Sequence, residues 1–324
     1  MAITSAGETR PTAASLRNRF KPGDWLFIAL TAGAVLALIA IIAGLFWELS
    51  AESWSSIQHT GLSFIWNTTW DPSHDVYGAG AFVVGTLITS VFALVLATVV
   101  AVLVALFLVE VAPGWVSRPV SYLIELLAAI PSVVYGLWGI FVMGVFIRDH
   151  FGPFVVHYLG WVPFLNGTPL ITGLLSACLI LTVMILPTIM AVARDVIAAV
   201  PRSQREGILA LGATRWEMIR LAILPYARSG VMGAAILGLA RAVGETLAVT
   251  LVIGNSVKIP DNVFAPAYTM ASVIANQFNE ATGIQRSALL EVALLLLIIT
   301  VIINIVARLL VWKVTNGKRV VVQE

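Results

Sequence analysis

Hydrophobic and polar positions along this chain fall into long blocks rather than a short repeat. Apolar runs cover about Trp25 to Leu49, Ala79 to Val109, Val120 to Ile147, Leu170 to Ala193, Val231 to Gly254 and Leu289 to Trp312. Each is as long as the roughly 20 residues a helix needs to cross a bilayer. Lipid offers no water to satisfy backbone groups, so spanning segments are helices or a closed barrel, and runs this long without alternation exclude the barrel. The expected fold class is therefore all-α, a polytopic membrane protein with six transmembrane helices. The first run is too long for the core of a cleaved signal peptide and has no small-residue cleavage site, so it reads as a retained span. The second exceeds what a bilayer requires at about 1.5 Å per residue, so it tilts or stands out of the lipid.

Composition agrees: 59% of the residues are hydrophobic and 11% charged. A net charge of +2 summed over two sides of a membrane is not a field at any one surface, and nothing points to a nucleic-acid partner. The distribution of the charge is more useful. Arg10, Arg17, Arg19 and Lys21 precede the first span, the stretch from Arg202 to Arg220 is basic, and Lys313, Lys318 and Arg319 follow the last span. The alternate loops hold only Arg148, Lys258 and Arg286. The positive-inside rule then places both termini and the 202–220 stretch in the cytoplasm. Residues 1–24 read as an N-terminal tail and 314–324 as a C-terminal tail. On the opposite side, the loop from Ser50 to Gly78 carries Trp54, Trp66, Trp70 and Tyr77 among turn formers, which suits aromatic rings at the outer interface. Residues 151–169 and 255–285 are similarly rich in Gly, Pro, Asn and aromatics. The single cysteine, Cys178, excludes an intrachain disulfide and reads as a small core residue.

The polar stretch from Arg202 to Pro225 breaks the apolar pattern. Ser203 with Glu206 has capping-box spacing, and Ile208, Leu209, Leu211 and Ile219 supply an apolar face. Gly212 is costly inside a helix and natural at its end. The expectation is a short helix, a turn at Gly212, a second helix from Thr214, and the start of the next span at Leu224-Pro225.

Within that next span lies Arg241, roughly 24 Å beyond Pro225 along a helix. A charge at that depth costs about 2.5–3.5 kcal/mol on insertion scales. Glu245 follows four residues later on the same helical face, where the two can pair. Arg241 then offers a multi-donor fork suited to an oxyanion, with Glu245 orienting it and Thr246 and Thr250 adding hydroxyls. An ion pair that merely neutralises a buried cation is the plainer reading of the same residues. Gly230, Ala234, Gly238 and Ala242 repeat every four residues beside this pair, a small-residue seam for close helix packing, within the chain or against a second subunit. In the third run, Pro131 removes a backbone donor and kinks the helix, which makes it a candidate hinge.

Glu206, Gly212, Leu224 and Pro225 match in order and spacing the cytoplasmic signature of permease subunits of type I ABC importers, MetI-like proteins, and the resemblance extends over the spans from Phe82 onward. The match departs at Gly207, Ile208 and Ala222. Trp70-Asp71-Pro72, Tyr77-Gly78-Ala79, Gly85-Thr86-Leu87, the run from Glu125 to Gly139 and the run from Gly238 to Thr246 narrow the resemblance to the PstC family, permease subunits of bacterial phosphate importers. That resemblance implies a coupling helix carrying Glu206, Gly212, Leu224 and Pro225, and a substrate pathway at Arg241, Glu245 and Thr246. It implies a location in the bacterial inner membrane. It also implies a PstA-like second permease subunit, a PstB-like ATPase dimer and a PstS-like external phosphate-binding protein as partners, with phosphate as substrate and the lipid bilayer as surroundings.

What is missing fits. No Gly-x-x-x-x-Gly-Lys-Ser/Thr loop occurs, so ATP hydrolysis belongs to another polypeptide. There is no H-E-x-x-H pair and no G-x-S-x-G elbow, and His59, His74, His150 and His157 are scattered over loops, so neither catalytic residues, a metal site nor a cofactor is expected. Two alternatives stay open: a permease for another oxyanion such as sulfate or molybdate, and a stand-alone secondary transporter or channel.

Overall fold

The computed structural model describes residues 22–316. Arg10, Arg17, Arg19, Lys21, Lys318 and Arg319, on which the expected basic tails rest, lie outside the described residues. Among the described residues there is no strand, only the isolated bridges Asp71 with Val76 and Gly254 with Ala267. Six helices among these residues are long and apolar enough to cross a membrane.

The chain divides into two compact units, residues 1–51 and 52–324. The first is dominated by α1 (Pro22–Glu52), a single apolar helix whose side chains from Trp25 to Trp47 are exposed all round. With no polar stripe anywhere on its surface, it has the character of a helix solvated by lipid.

The second unit begins with the short α2 (Trp54–Thr60) and is built round α3 (Gly80–Leu106) and α6 (Leu174–Ala198). Between them come α4 (Gly114–Ala128) and α5 (Ser132–Trp138). After α6 follow α7 (Arg202–Ala210), α8 (Arg215–Met218), α9 (Leu224–Val243), α10 (Leu247–Val252), α11 (Met270–Gln277) and α12 (Gly283–Asn316). The pairing of α3 with α6 is the most extensive in the unit. Its physical basis is legible along α3, where Ala93, Ala97, Ala101 and Ala105 recur every fourth residue with no exposed surface. Small residues at that interval let two backbones approach closely, the usual way for membrane helices to associate. Ile180, Met184, Ile185, Ile189 and Ile197 of α6 fill the same core.

Two of the expected spans have different boundaries. The third, expected as one kinked helix over 120–147, is cut at 129–131: α4 ends at Ala128, Pro131 precedes α5, and the helix that starts at Ser132 continues through π-helical turns to Leu159. Pro131 is therefore not a kink inside a helix but the residue before one, with extended backbone (φ −59°, ψ 140°). A residue before proline avoids the helical region, and that stops α4. The fifth, expected over 231–254, begins far earlier, as one helix from Arg215 to Val243. Pro225 sits in its interior, one residue past a π-helical stretch, Ile219–Ile223, whose irregular turn accommodates the missing backbone donor.

A second cluster closes one end of the unit. Trp70 packs edge-on against Tyr77 and Phe82, both with centroids 5.1 Å away, and Phe82 meets Tyr268 at 5.8 Å. The Trp70 indole donates to Gln277 Oε1 at 3.0 Å, which ties the loop after α2 to α11. Trp70 and Tyr77 were expected as interfacial rings; they are core residues, 5% and 2% exposed, while Trp54 and Trp66 keep the exposed character.

Candidate functional site

The polar stretch folds as expected in outline and differs in detail. α7 starts at Arg202, preceded by Pro201, so Ser203 lies inside the helix and caps nothing. The capping box belongs instead to α8: Glu217 N donates to Thr214 Oγ1 at 3.3 Å and Thr214 N donates to Glu217 Oε2 at 2.7 Å. Between the two helices Gly212 adopts φ +84°, a left-handed value that a side chain strains, although open space surrounds the site. Gly212 is there for its backbone, not for room.

Glu206, Gly207, Leu209, Leu211 and Trp216 stand exposed on this hairpin, whereas Arg205 and Ile208, three residues apart on α7, turn inward. A groove of roughly 480 Å³ runs between α7 and the following helix, lined by Ser203, Gly207, Ile208, Leu221, Pro225 and Tyr226. Pro225 thus sits beside α7 in this groove, whereas Leu224 is half-buried and packs against the main core, and neither Glu206 nor Gly212 lines the groove. An exposed carboxylate among exposed apolar side chains makes this face a candidate contact surface.

The other group of expected residues lies at the far end of α9. Arg241 is in its last turn, half-buried, and its Nη1 donates to Thr188 Oγ1 of α6 at 3.1 Å. The helix ends at Val243, and residues 244–246 are not helical. This break separates Arg241 from Glu245, and no ion pair joins them; the expected intrahelical pair is not formed. Glu245 instead caps the next helix, its Oε1 accepting from Ala248 N at 3.2 Å. The Thr246 hydroxyl donates to the Gly244 carbonyl at 3.2 Å, and Thr250 back-bonds to Thr246 O at 2.7 Å.

Irregular backbone at membrane depth survives only where protein buries it or water reaches it. Two breaks border the third and fifth spans, at 129–131 and 244–246, and the helices that follow them pack together: a Cβ on Gly136 of α5 would lie 3.1 Å from the Ala248 Cα of α10. Tyr135 reaches back across the first break, donating to the Leu127 carbonyl at 2.7 Å. Arg241 and Thr188 thus meet across α9 and α6, and α10, which Glu245 precedes, packs on α5 and α6. Arg241 keeps most of its donors uncommitted to protein, one fork with one bond made, which is the state needed to grip a second oxygen-rich partner.

Sequence reasoning missed Thr188. The available signal was Pro187, a proline in the middle of a span with a hydroxyl beside it, since freed backbone and polar side chains gather where a transmembrane helix is interrupted. The small-residue seam has an intrachain answer. A Cβ at Gly230 would lie 2.5 Å from Val196, and one at Gly238 would lie 2.6 Å from Ile189, so the seam packs α9 on α6.

Comparison with known proteins places this geometry. Residues 97–316 match the family described as binding-protein-dependent transport system inner membrane component. The phosphate transport system permease protein PstC of Haemophilus influenzae is 45% identical, over 90% of this chain and 95% of its own. The protein of the same description from Mesorhizobium japonicum is 37% identical, over 96% and 98%. Among solved structures, inward-facing MetNI methionine ABC transporter covers 71% of this chain and 93% of its own at a TM-score of 0.52 and 22% identity, a likeness of fold. The chain belongs to the binding-protein-dependent transport system inner membrane components and, within them, to the family of PstC permease proteins.

Proposed function

We propose that this chain is the membrane-spanning permease subunit of an ATP-driven importer of inorganic phosphate. The observation that carries the reading is likeness to PstC phosphate permeases across nine-tenths of the sequence, in a chain with six spanning helices. The termini and the α7 hairpin face the cytoplasm, where the exposed surface at Glu206, Leu211 and Trp216 meets a PstB-like ATPase dimer. A PstS-like binding protein delivers phosphate at the opposite face, and a PstA-like subunit completes the pathway.

Phosphate passes the two helix breaks, where Arg241 grips its oxygens bidentately and Thr188 and Glu245 hold the surroundings in place. The charge that makes Arg241 costly in lipid is useful there, because an anion bound beside it removes the same penalty. ATP binding biases an equilibrium between inward- and outward-open states through its different affinity for the two, and the hairpin carries that bias to the spans. Labelled phosphate uptake by the reconstituted four-component complex tests the reading. Uptake that requires ATP and the binding protein, and that excess sulfate does not suppress, is expected; flux from this chain alone in liposomes would make it a stand-alone transporter. Glu245→Gln, which keeps a weaker cap on Ala248, should slow uptake only a few-fold, as caps differ by about 0.5–2 kcal/mol.

A further inference from the structure

Arg205 is the one cation of α7 that turns into the protein. Its Nη1 donates to the Val200 carbonyl at 2.9 Å and its Nη2 to the Ile197 carbonyl at 2.9 Å, buried acceptors at and just past the C-terminal end of α6. The same Nη2 lies 2.9 Å from Glu110 Oε1, in the π-helical stretch Phe107–Val111 that ends α3. The two side chains are 18% and 10% exposed. One residue of the hairpin thus holds the ends of the two helices that form the main pair of the bundle.

We infer that Arg205 is a positioning residue that ties α7 to α3 and α6 and transmits movement of the hairpin to the spans; this rests on the importer reading above. Three features support it. Arg205 neighbours the exposed Glu206 on a nine-residue helix, so a partner that pushes on the outer face displaces the inner face with it. A fork fixed by two hydrogen bonds and an ion pair resists sliding in a way that a single point charge cannot. The contact with Glu110 is also incomplete: although 2.9 Å apart by distance, the angle makes no hydrogen bond, and the buried Glu110 Oε1 and Arg205 Nε have none. A small shift of α7 against α3 would bring Nε and Nη2 onto the carboxylate together. A buried charge pair that is half satisfied in one arrangement and bidentate in another favours the second, which gives the hairpin two defined positions instead of a continuum.

The test measures phosphate taken up per ATP hydrolysed, together with recovery of the assembled complex, for Arg205→Gln, Glu110→Gln, both together, and Arg205→Lys. Coupling energies between sites correspond to about 5- to 150-fold, so each Gln variant should lower the ratio about tenfold while hydrolysis and assembly persist. The double variant should fall no further than Arg205→Gln alone, since with the guanidinium gone Glu110 has no contact left to lose. Arg205→Lys should be intermediate, because it keeps the charge and loses the fork. An unchanged ratio in both single variants, additive losses, or failure of every variant including Arg205→Lys to assemble would each overturn the inference, the last by making the side chain a support of the fold only. If the unaltered complex takes up no phosphate, the importer reading fails; that result is read separately from the variant-to-unaltered comparison.

Discussion

The two ends of the helix that runs from Arg215 to Val243 are built differently. At its start, order comes from the local chain: a capping box at Thr214 and Glu217, a left-handed Gly212, and a proline accommodated just past a π-helical stretch. At its finish, order comes from distant residues: Thr188 lies 53 positions from Arg241, and α5 packs against the helix that follows the break. The hairpin is exposed, whereas Arg241 is half-buried against α6 with one hydrogen bond made and its other donors free. On the proposed function, the end that would receive force has a stiff local frame, and the end that would pass an anion gathers polar groups that no single helix holds.

The sharpest way to break this contrast is Arg241→Gln. Losing a charge-assisted bond to the anion costs roughly 1.5–3 kcal/mol, so uptake should fall about 10- to 100-fold with the complex assembled. Unaltered uptake would mean that Arg241 serves only Thr188. Next comes Gly238→Val in the seam, where the added carbons meet Ile189. Overpacking of this kind costs about 1–3 kcal/mol, seen as a lower Tm of the detergent-solubilised complex, and an unchanged Tm would show that α9 is not pressed on α6 as described.

A smaller effect is expected from Gly212→Leu. A left-handed side chain costs about 1–2 kcal/mol, and because space around Gly212 is open the loss should appear as uncoupled ATP hydrolysis while the complex stays intact. Normal coupling would detach the turn from force transmission. The smallest concerns the loop before α3. A hydrogen bond from His74 to Asp71 holds the Asp71 carboxyl below the usual carboxylate range. A depressed folded-state pKa contributes order that is present at neutral pH and is lost as the pH falls through that value. Trp70 next door should report it as a fluorescence change confined to acid conditions, and the same change centred near neutral pH would assign it to another group.

Much of the hairpin was legible because its determinants are local. Glycine at the turn and proline after it act through φ, ψ and a missing donor, which neighbours do not alter. The capping box was placed at the wrong residues because Ser203 with Glu206 and Thr214 with Glu217 share one spacing, and only the start of α7 after Pro201 decides between them. The Arg241 pair was misread for a different reason. Four residues apart is a contact only if the helix continues, and Gly244 followed by a carboxylate that caps Ala248 ends it. The same loss of continuity moved the third span from 120–147 to a helix beginning at Ser132.

By itself, then, the sequence determined that this chain is all-helical, crosses the membrane several times, and carries a recognisable polar hairpin, because hydrophobic length and local backbone preference are properties of contiguous residues. Only the tertiary structure decided that the seam at Gly230 and Gly238 closes on α6, that Thr188 holds Arg241, and that Arg205 grips the ends of α3 and α6. Those contacts join residues from 5 to 95 positions apart, and their pairing follows from which helix faces are brought together, a choice that no single segment encodes.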